Sequence, residues 1–149
     1  MSDKYIHYGS DHFDAAKFRP ILNSGFMMSK PLHGTGLWAS PVNSPLGWRD
    51  WCLDNKFNLE SLDAAFRFVL KPDAAVYHIH SIADVYKLPC RNDTDDITSY
   101  PIDYEAAARM YDAIEVDLIS GGYELVQLMY GWDCNSILIM NPDVVMEVE

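Results

Sequence analysis

The stretch "YIHYGSDHFDAAKFRPILNSGF", residues 5–26, decides how this chain is read. A short strand-like run ends in His-Tyr-Gly-Ser, and "FRPILNSGF" has the potential for one or two helical turns, with Gly25 at the exit. A strand that ends in an imidazole, an aromatic ring, a glycine and a hydroxyl sets the pattern for the rest. "GLWASP" (36–41) is short enough to be one strand, and "GWRDWCLDNKF" (47–57) puts Trp48, Trp51 and Cys52 at the i, i+3, i+4 spacing of a helix face. "AAVYHIHSIADVYKL" (74–88) has strand character with a helical or irregular end, and Pro72-Asp73 supplies the turn ahead of it. Residues 89–103 read as a polar loop. "IDYEAAARMYDAIEV" (102–116), capped by Asp103 and rich in Ala, is the best helix, and a second short helix over 123–129 follows the break at Gly121-Gly122. "SILIMN" (136–141) reads as a buried strand ended by Asn-Pro. Strands and helices mix without a regular βαβ alternation, so the fold class expected is α+β.

The chain's 149 residues make one domain, large enough to bury a core without disulfides or a metal. Twenty-two acidic against eleven basic residues give a net charge of −11, which repels a polyphosphate backbone and makes nucleic acid the less favoured partner. Cys52, Cys90 and Cys134 are an odd number without a CxxC pair, and no signal sequence precedes them, so reduced thiols and a cytoplasmic location are expected. No apolar run reaches membrane-spanning length, and no membrane partner is expected.

Three polar-aromatic islands abut the strands: His7-Tyr8-Gly9-Ser10, Gly36-Leu37-Trp38-Ala39-Ser40-Pro41, and Trp132-Asp133-Cys134-Asn135-Ser136. Strand ends fix backbone while flanking residues face a ligand, so a shared cleft is one reading. The first island offers an imidazole and a hydroxyl, the second an aromatic face for a planar ring, and the third a carboxylate or amide. Such a set suits a nucleotide-like ligand. The other reading makes His7 a hydrogen-bonded strand residue and Trp38 part of the core. His78 and His80 share a strand face but lack a third ligand of suitable spacing, so no metal site is expected. Cys52 reads as a packed thiol, and Asp93, Asp95 and Asp96 as a solvated turn without calcium-loop spacing. GxGxxG, GxxxxGK[ST] and GxSxG are all absent, which argues against Rossmann, P-loop and α/β-hydrolase enzymes.

In their order these islands resemble the ADP-ribosyltransferase superfamily, in the branch of diphtheria-type toxins and poly-ADP-ribose polymerases. "HYGS" followed by "FRPILNSGF" is similar to the family's His-Gly-Ser/Thr strand and the helix ending near "ILxxGL". "HGTGLWAS" with "GWRDWC" is similar to its Gly-hydrophobic-Tyr-Phe-Ala strand and aromatic-rich helix, and "WDCNSILIMNP" stands where the catalytic acid precedes the last strand. The resemblance implies two small packed sheets around a cleft that takes NAD as substrate. It implies mono-ADP-ribosylation of a macromolecular acceptor, with a protein favoured, as in a bacterial or phage effector. His7, with Tyr8 as the alternative, and Ser10 then hold the nicotinamide ribose or carboxamide. Gly9 and Gly36 let the backbone approach, Trp38 stacks on nicotinamide, and Ser40 supports the site. Asp133 or Asn135 faces the ribose 2′-hydroxyl, and Asn135 stands where the family has glutamate. Asp112 and Glu115 are the acids further upstream. An NAD glycohydrolase, or a non-catalytic nucleotide- or protein-binding module on the same fold, are the alternatives. Nothing in the sequence sets the oligomeric state.

Overall fold

A computed structural model describes residues 3–24, 29–91 and 101–149. The fold is α+β: seven strands in one mixed sheet, with four helices. The strands are β1 (Tyr5–Tyr8), β2 (Leu37–Pro41), β3 (Ala65–Leu70), β4 (Val76–Ile79), β5 (Ala113–Val116), β6 (Ser136–Ile139) and β7 (Val145–Val148). The helices are α1 (Trp48–Asn55), α2 (Ile82–Tyr86), α3 (Tyr104–Ala108) and α4 (Leu118–Leu128). The spatial order is β4-β5-β6-β2-β1-β3-β7, parallel between β4 and β5 and antiparallel elsewhere. Among the described residues no helix is long and apolar enough to cross a membrane.

β2 joins two halves of the sheet. Its first three residues, Leu37 to Ala39, pair with Ile139 to Ile137 of β6, whereas Ser40 and Pro41 pair with Ile6 and Tyr5 of β1. Past Ile6 the ladder between β1 and β2 stops, while His7 and Tyr8 stay paired with Phe66 and Ala65 of β3. Where two separate sheets are expected, hydrogen bonding links all seven strands, and the halves part beside Trp38.

Side-chain alternation along the strands gives two cores. On one face Ile79, Ile114, Val116 and Leu138 pack with Val85, Tyr104, Leu118, Leu125 and Met129 of the helices, and Trp38 leans on this cluster. On the other, Tyr5, Phe66, Phe68, Ile137, Ile139 and Val144 meet. β6 is covered on both faces, which accounts for the unbroken apolar run "SILI".

Two expectations are corrected. Residues 102–116 are not one helix: α3 ends after Ala108 and Ala113–Val116 is β5. Asp103 does cap α3, accepting from the Ala106 N–H at 3.0 Å. Asp112 then anchors the chain to Ala75, through its own N–H to the Ala75 carbonyl and its carboxylate to the Ala75 N–H, both at 2.8 Å. That anchor feeds "AIEV" between β4 and β6, where strand pairing and burial outweigh the helix preference of an Ala-rich window. Residues 18–24 are also not helical. One 3-10 turn covers Ala15–Lys17, and Asn23 instead bridges to Pro31 and accepts from the Tyr104 N–H at 2.8 Å. The exit at Gly25 and the acidic group Asp93, Asp95 and Asp96 lie outside the described residues.

Gly36 is fixed by packing. Its φ is +71°, and a Cβ there would lie 2.7 Å from Ile21 Cδ1, 2.9 Å from Leu138 Cδ1 and 3.1 Å from the Ile139 carbonyl oxygen. Left-handed backbone costs an L-residue about 1–2 kcal/mol and overpacking another 1–3. Gly36→Ala is therefore expected to lower the melting temperature by roughly 5–10 °C, read by circular dichroism.

Candidate functional site

The parting of β1 from β2 opens a cleft of about 340 Å³, within the usual size range for small-molecule sites. Its walls come from the three islands and from three segments beside them: the approach to β2, the start of α1, and the turn after α1 that carries Asn58 and Ser61. Of the residues expected at a site, His7, Tyr8, Trp38, Ser40 and Asp133 line this cleft, whereas Gly9, Ser10, Gly36 and Asn135 are not among its lining.

His7 occupies the gap where β1 and β2 separate. Its Nδ1 lies 2.6 Å from the Trp38 carbonyl oxygen, which can only accept, so Nδ1 carries the proton and Nε2 is left as an acceptor. Burial is the larger influence and pushes the imidazolium pKa below its ordinary 6.5; the hydrogen bond to Trp38 opposes it. His7 is thus a neutral base whose Nε2 can accept a ligand hydroxyl or amide proton.

Below about pH 6.5 the unfolded chain takes up a proton that folded His7 resists, so stability falls as pH drops from 6.5 toward the lowered folded value, and is flat above. His7→Asn is expected to remove that contribution. Melting curves of the two proteins should differ in slope only in this acidic window.

Two tryptophans give the cleft its aromatic walls. Trp38 is held edge-on by buried Trp132, with ring centroids 4.6 Å apart and planes at 71°. Trp132 Nε1 donates to the Ser29 carbonyl at 2.5 Å and lies 3.2 Å from the Tyr104 hydroxyl, which donates to the same carbonyl at 2.5 Å. Trp48, which the sequence reading placed only on a helix face, is the second wall. Its ring stacks on Trp51 at 5.3 Å and 13°. Ser40 sets where it stands: buried Ser40 Oγ accepts from the Trp48 N–H at 2.9 Å, capping a helix whose N-cap, Gly47, has no side chain to offer.

The third island divides its work. Asp133 is exposed, lines the cleft, and makes no hydrogen bond or ion pair with the described residues. Asn135 is buried and committed. Its Oδ1 accepts from the Leu118 N–H at 2.8 Å, its Nδ2 donates to Ser44 Oγ at 3.1 Å, and its own N–H donates to the Leu46 carbonyl at 2.8 Å. It ties the start of α4 to the loop after β2. Burial raises the pKa of the Cys134 and Cys52 thiols, and the Asp133 charge adds to this in both; they are poor nucleophiles.

Gly9 makes a turn at φ +118°, its N–H donating to the Ala64 carbonyl at 2.8 Å, and Ser10 is exposed beyond it. Asp112 is spent on Ala75 and on the Asn141 amide, and Glu115 lies against His78 at 3.5 Å. His80 lies 3.9 Å from Asp117. Among the described residues no group of three or more His, Cys, Asp or Glu is placed to hold a metal ion. Lys30 and His33 also line the cleft. Their only sequence signal was position, since they immediately precede β2.

Compared with protein-family models, curated proteins and solved structures, the chain finds no match.

Proposed function

We propose that this protein is an NAD-dependent mono-ADP-ribosyltransferase acting on a protein acceptor. The observation that carries the reading is the meeting of His7 of β1, Trp38 of β2 and Asp133, just ahead of β6, in one cleft, in the chain order of the resemblance. NAD supplies a planar ring, ribose hydroxyls and a pyrophosphate. The indole faces of Trp38 and Trp48 suit the ring, and the acceptor Nε2 of His7 suits a hydroxyl or the carboxamide. In a chain of net charge −11, the cleft collects Lys30 and His33, which suit the phosphates.

Asp133 is the acid this reading uses, because it is uncommitted while Asn135 is not. Loss of nicotinamide leaves positive charge on the ribose, and a carboxylate at the 2′-hydroxyl stabilises that charge as it forms. A bacterial or phage effector working in a host cytoplasm belongs to the same reading and rests on the resemblance alone.

Titrating NAD into the protein while following tryptophan fluorescence tests the site. Saturable quenching is expected, weakened about fivefold to a hundredfold in Trp38→Ala, since base–aromatic stacking contributes about 1–3 kcal/mol. Quenching that is the same in both proteins would remove Trp38 from the site and the NAD reading with it.

A further inference from the structure

The forty residues from Met110 to Glu149 hold eight carboxylates and no Lys, Arg or His. Within this base-free stretch, α4 turns Leu118, Leu125 and Met129 into the core. It leaves Ile119, Tyr123 and Val126 exposed at 54, 75 and 44%, and Tyr130, just past its end, at 72%. Tyr123 and Val126, three residues apart in the turns after the break at Gly122 (φ 67°), share one side of the helix, with Tyr130 four residues further on, whereas Ile119 lies before the break. Tyr123 is braced, its hydroxyl 2.7 Å from Gln127 Nε2. Exposed Glu124 lies between the two tyrosines in sequence, and Asp133 follows Tyr130 at the cleft wall; neither has an ion pair among the described residues.

We infer that this face of α4 docks a basic protein segment, whose arginine or lysine side chains lie on Tyr123 and Tyr130 and beside Glu124. Tyrosine faces attract cations, and tyrosine is enriched where proteins bind one another. The cation comes from outside the chain: residues 1–2, 25–28 and 92–100, which lie beyond the described structure, include no Lys or Arg. A second copy would set Glu124 and Asp133 against like charges, and an anionic bilayer is repelled by the same carboxylates. Tyr130 leads directly into Gly131 and Asp133 of the cleft, so a segment seated here reaches the cleft mouth. Only the fate of that segment, as acceptor, rests on the proposed function; its binding does not.

The test uses the whole protein without NAD. A labelled peptide rich in arginine and leucine, and the same peptide with citrulline for arginine, are followed by fluorescence anisotropy. The arginine peptide should bind, more weakly as salt rises, and the citrulline peptide should not. Tyr123→Ala/Tyr130→Ala should weaken binding about tenfold, and Glu124→Lys should weaken it severalfold. Asp73→Lys, an exposed acid on the turn after β3, should change it by no more than about twofold. No binding of the arginine peptide, or equal losses in Glu124→Lys and Asp73→Lys, would overturn the proposal, as would tyrosine-dependent binding to phosphatidylcholine vesicles in place of the peptide. NAD quenching should be unchanged in the tyrosine variant, so the two proposals fail separately.

Discussion

Asp133→Asn is expected to reduce NAD turnover by about two to three decades while leaving the melting temperature where it was. A carboxylate about 4 Å from a developing positive charge contributes about 1 kcal/mol in bulk water and about 4 kcal/mol at an effective dielectric near 20. The cleft opens to solvent, but a bound dinucleotide displaces much of the water in it, so the upper part of that range applies. Each 1.36 kcal/mol is a factor of ten in rate. Folding should be indifferent, because the Asp133 side chain is exposed and has no partner among the described residues. Steady-state nicotinamide release and a thermal melt, run side by side, separate the two effects. A loss of turnover accompanied by an equal loss of stability would identify Asp133 as structural.

The second large effect is on the other side of the cleft. Trp132→Ala is expected to cost about 3–5 kcal/mol, the range for truncating a buried large aromatic, and so to lower the melting temperature by roughly 10 °C. Trp132 is 3% exposed, satisfies the Ser29 carbonyl, and forms the edge contact that keeps Trp38 upright. Trp132→Phe retains most of the volume, and the Tyr104 hydroxyl still reaches Ser29, so its cost should be smaller. Ligand affinity should fall together with stability in the Ala variant, because Trp38 loses its backing. A melt unchanged by Trp132→Ala would mean that the aromatic wall is held from elsewhere.

What the sequence made legible was local. β1, β2 and β6 are short β-rich runs with polar residues at their ends, and α1 repeats its aromatics at helical spacing, so each signal lies within one element. β5 was hidden because its four residues follow "YEAAARMY", whose alanines favour helix, and only pairing with β4 and β6 makes it a strand. β3 and β7 were missed too, although "AFRFVL" alternates, because the sequence gives no sign of which neighbour each will pair with.

The site was legible to the same degree. His7 and Trp38 sit near strand ends and Asp133 in the segment just ahead of β6, where a pattern can be seen. Asp133 and Asn135 share a face only if the last strand reaches back to them; β6 begins at Ser136, and the two residues go to different partners. Trp48, Lys30 and His33 enter the cleft only because β1 leaves β2 at Ile6, a feature of the assembled sheet.

The most direct test is NAD consumption by the purified protein, with a whole-cell protein extract as acceptor and without it. Label from the adenine side of NAD is expected on protein in the extract, with nicotinamide released in step, and both should be lost in Asp133→Asn. Release of free ADP-ribose without any acceptor would make the protein a glycohydrolase using the same cleft. If NAD neither quenches tryptophan fluorescence nor is consumed under either condition, the cleft is not an NAD site and the central claim is wrong.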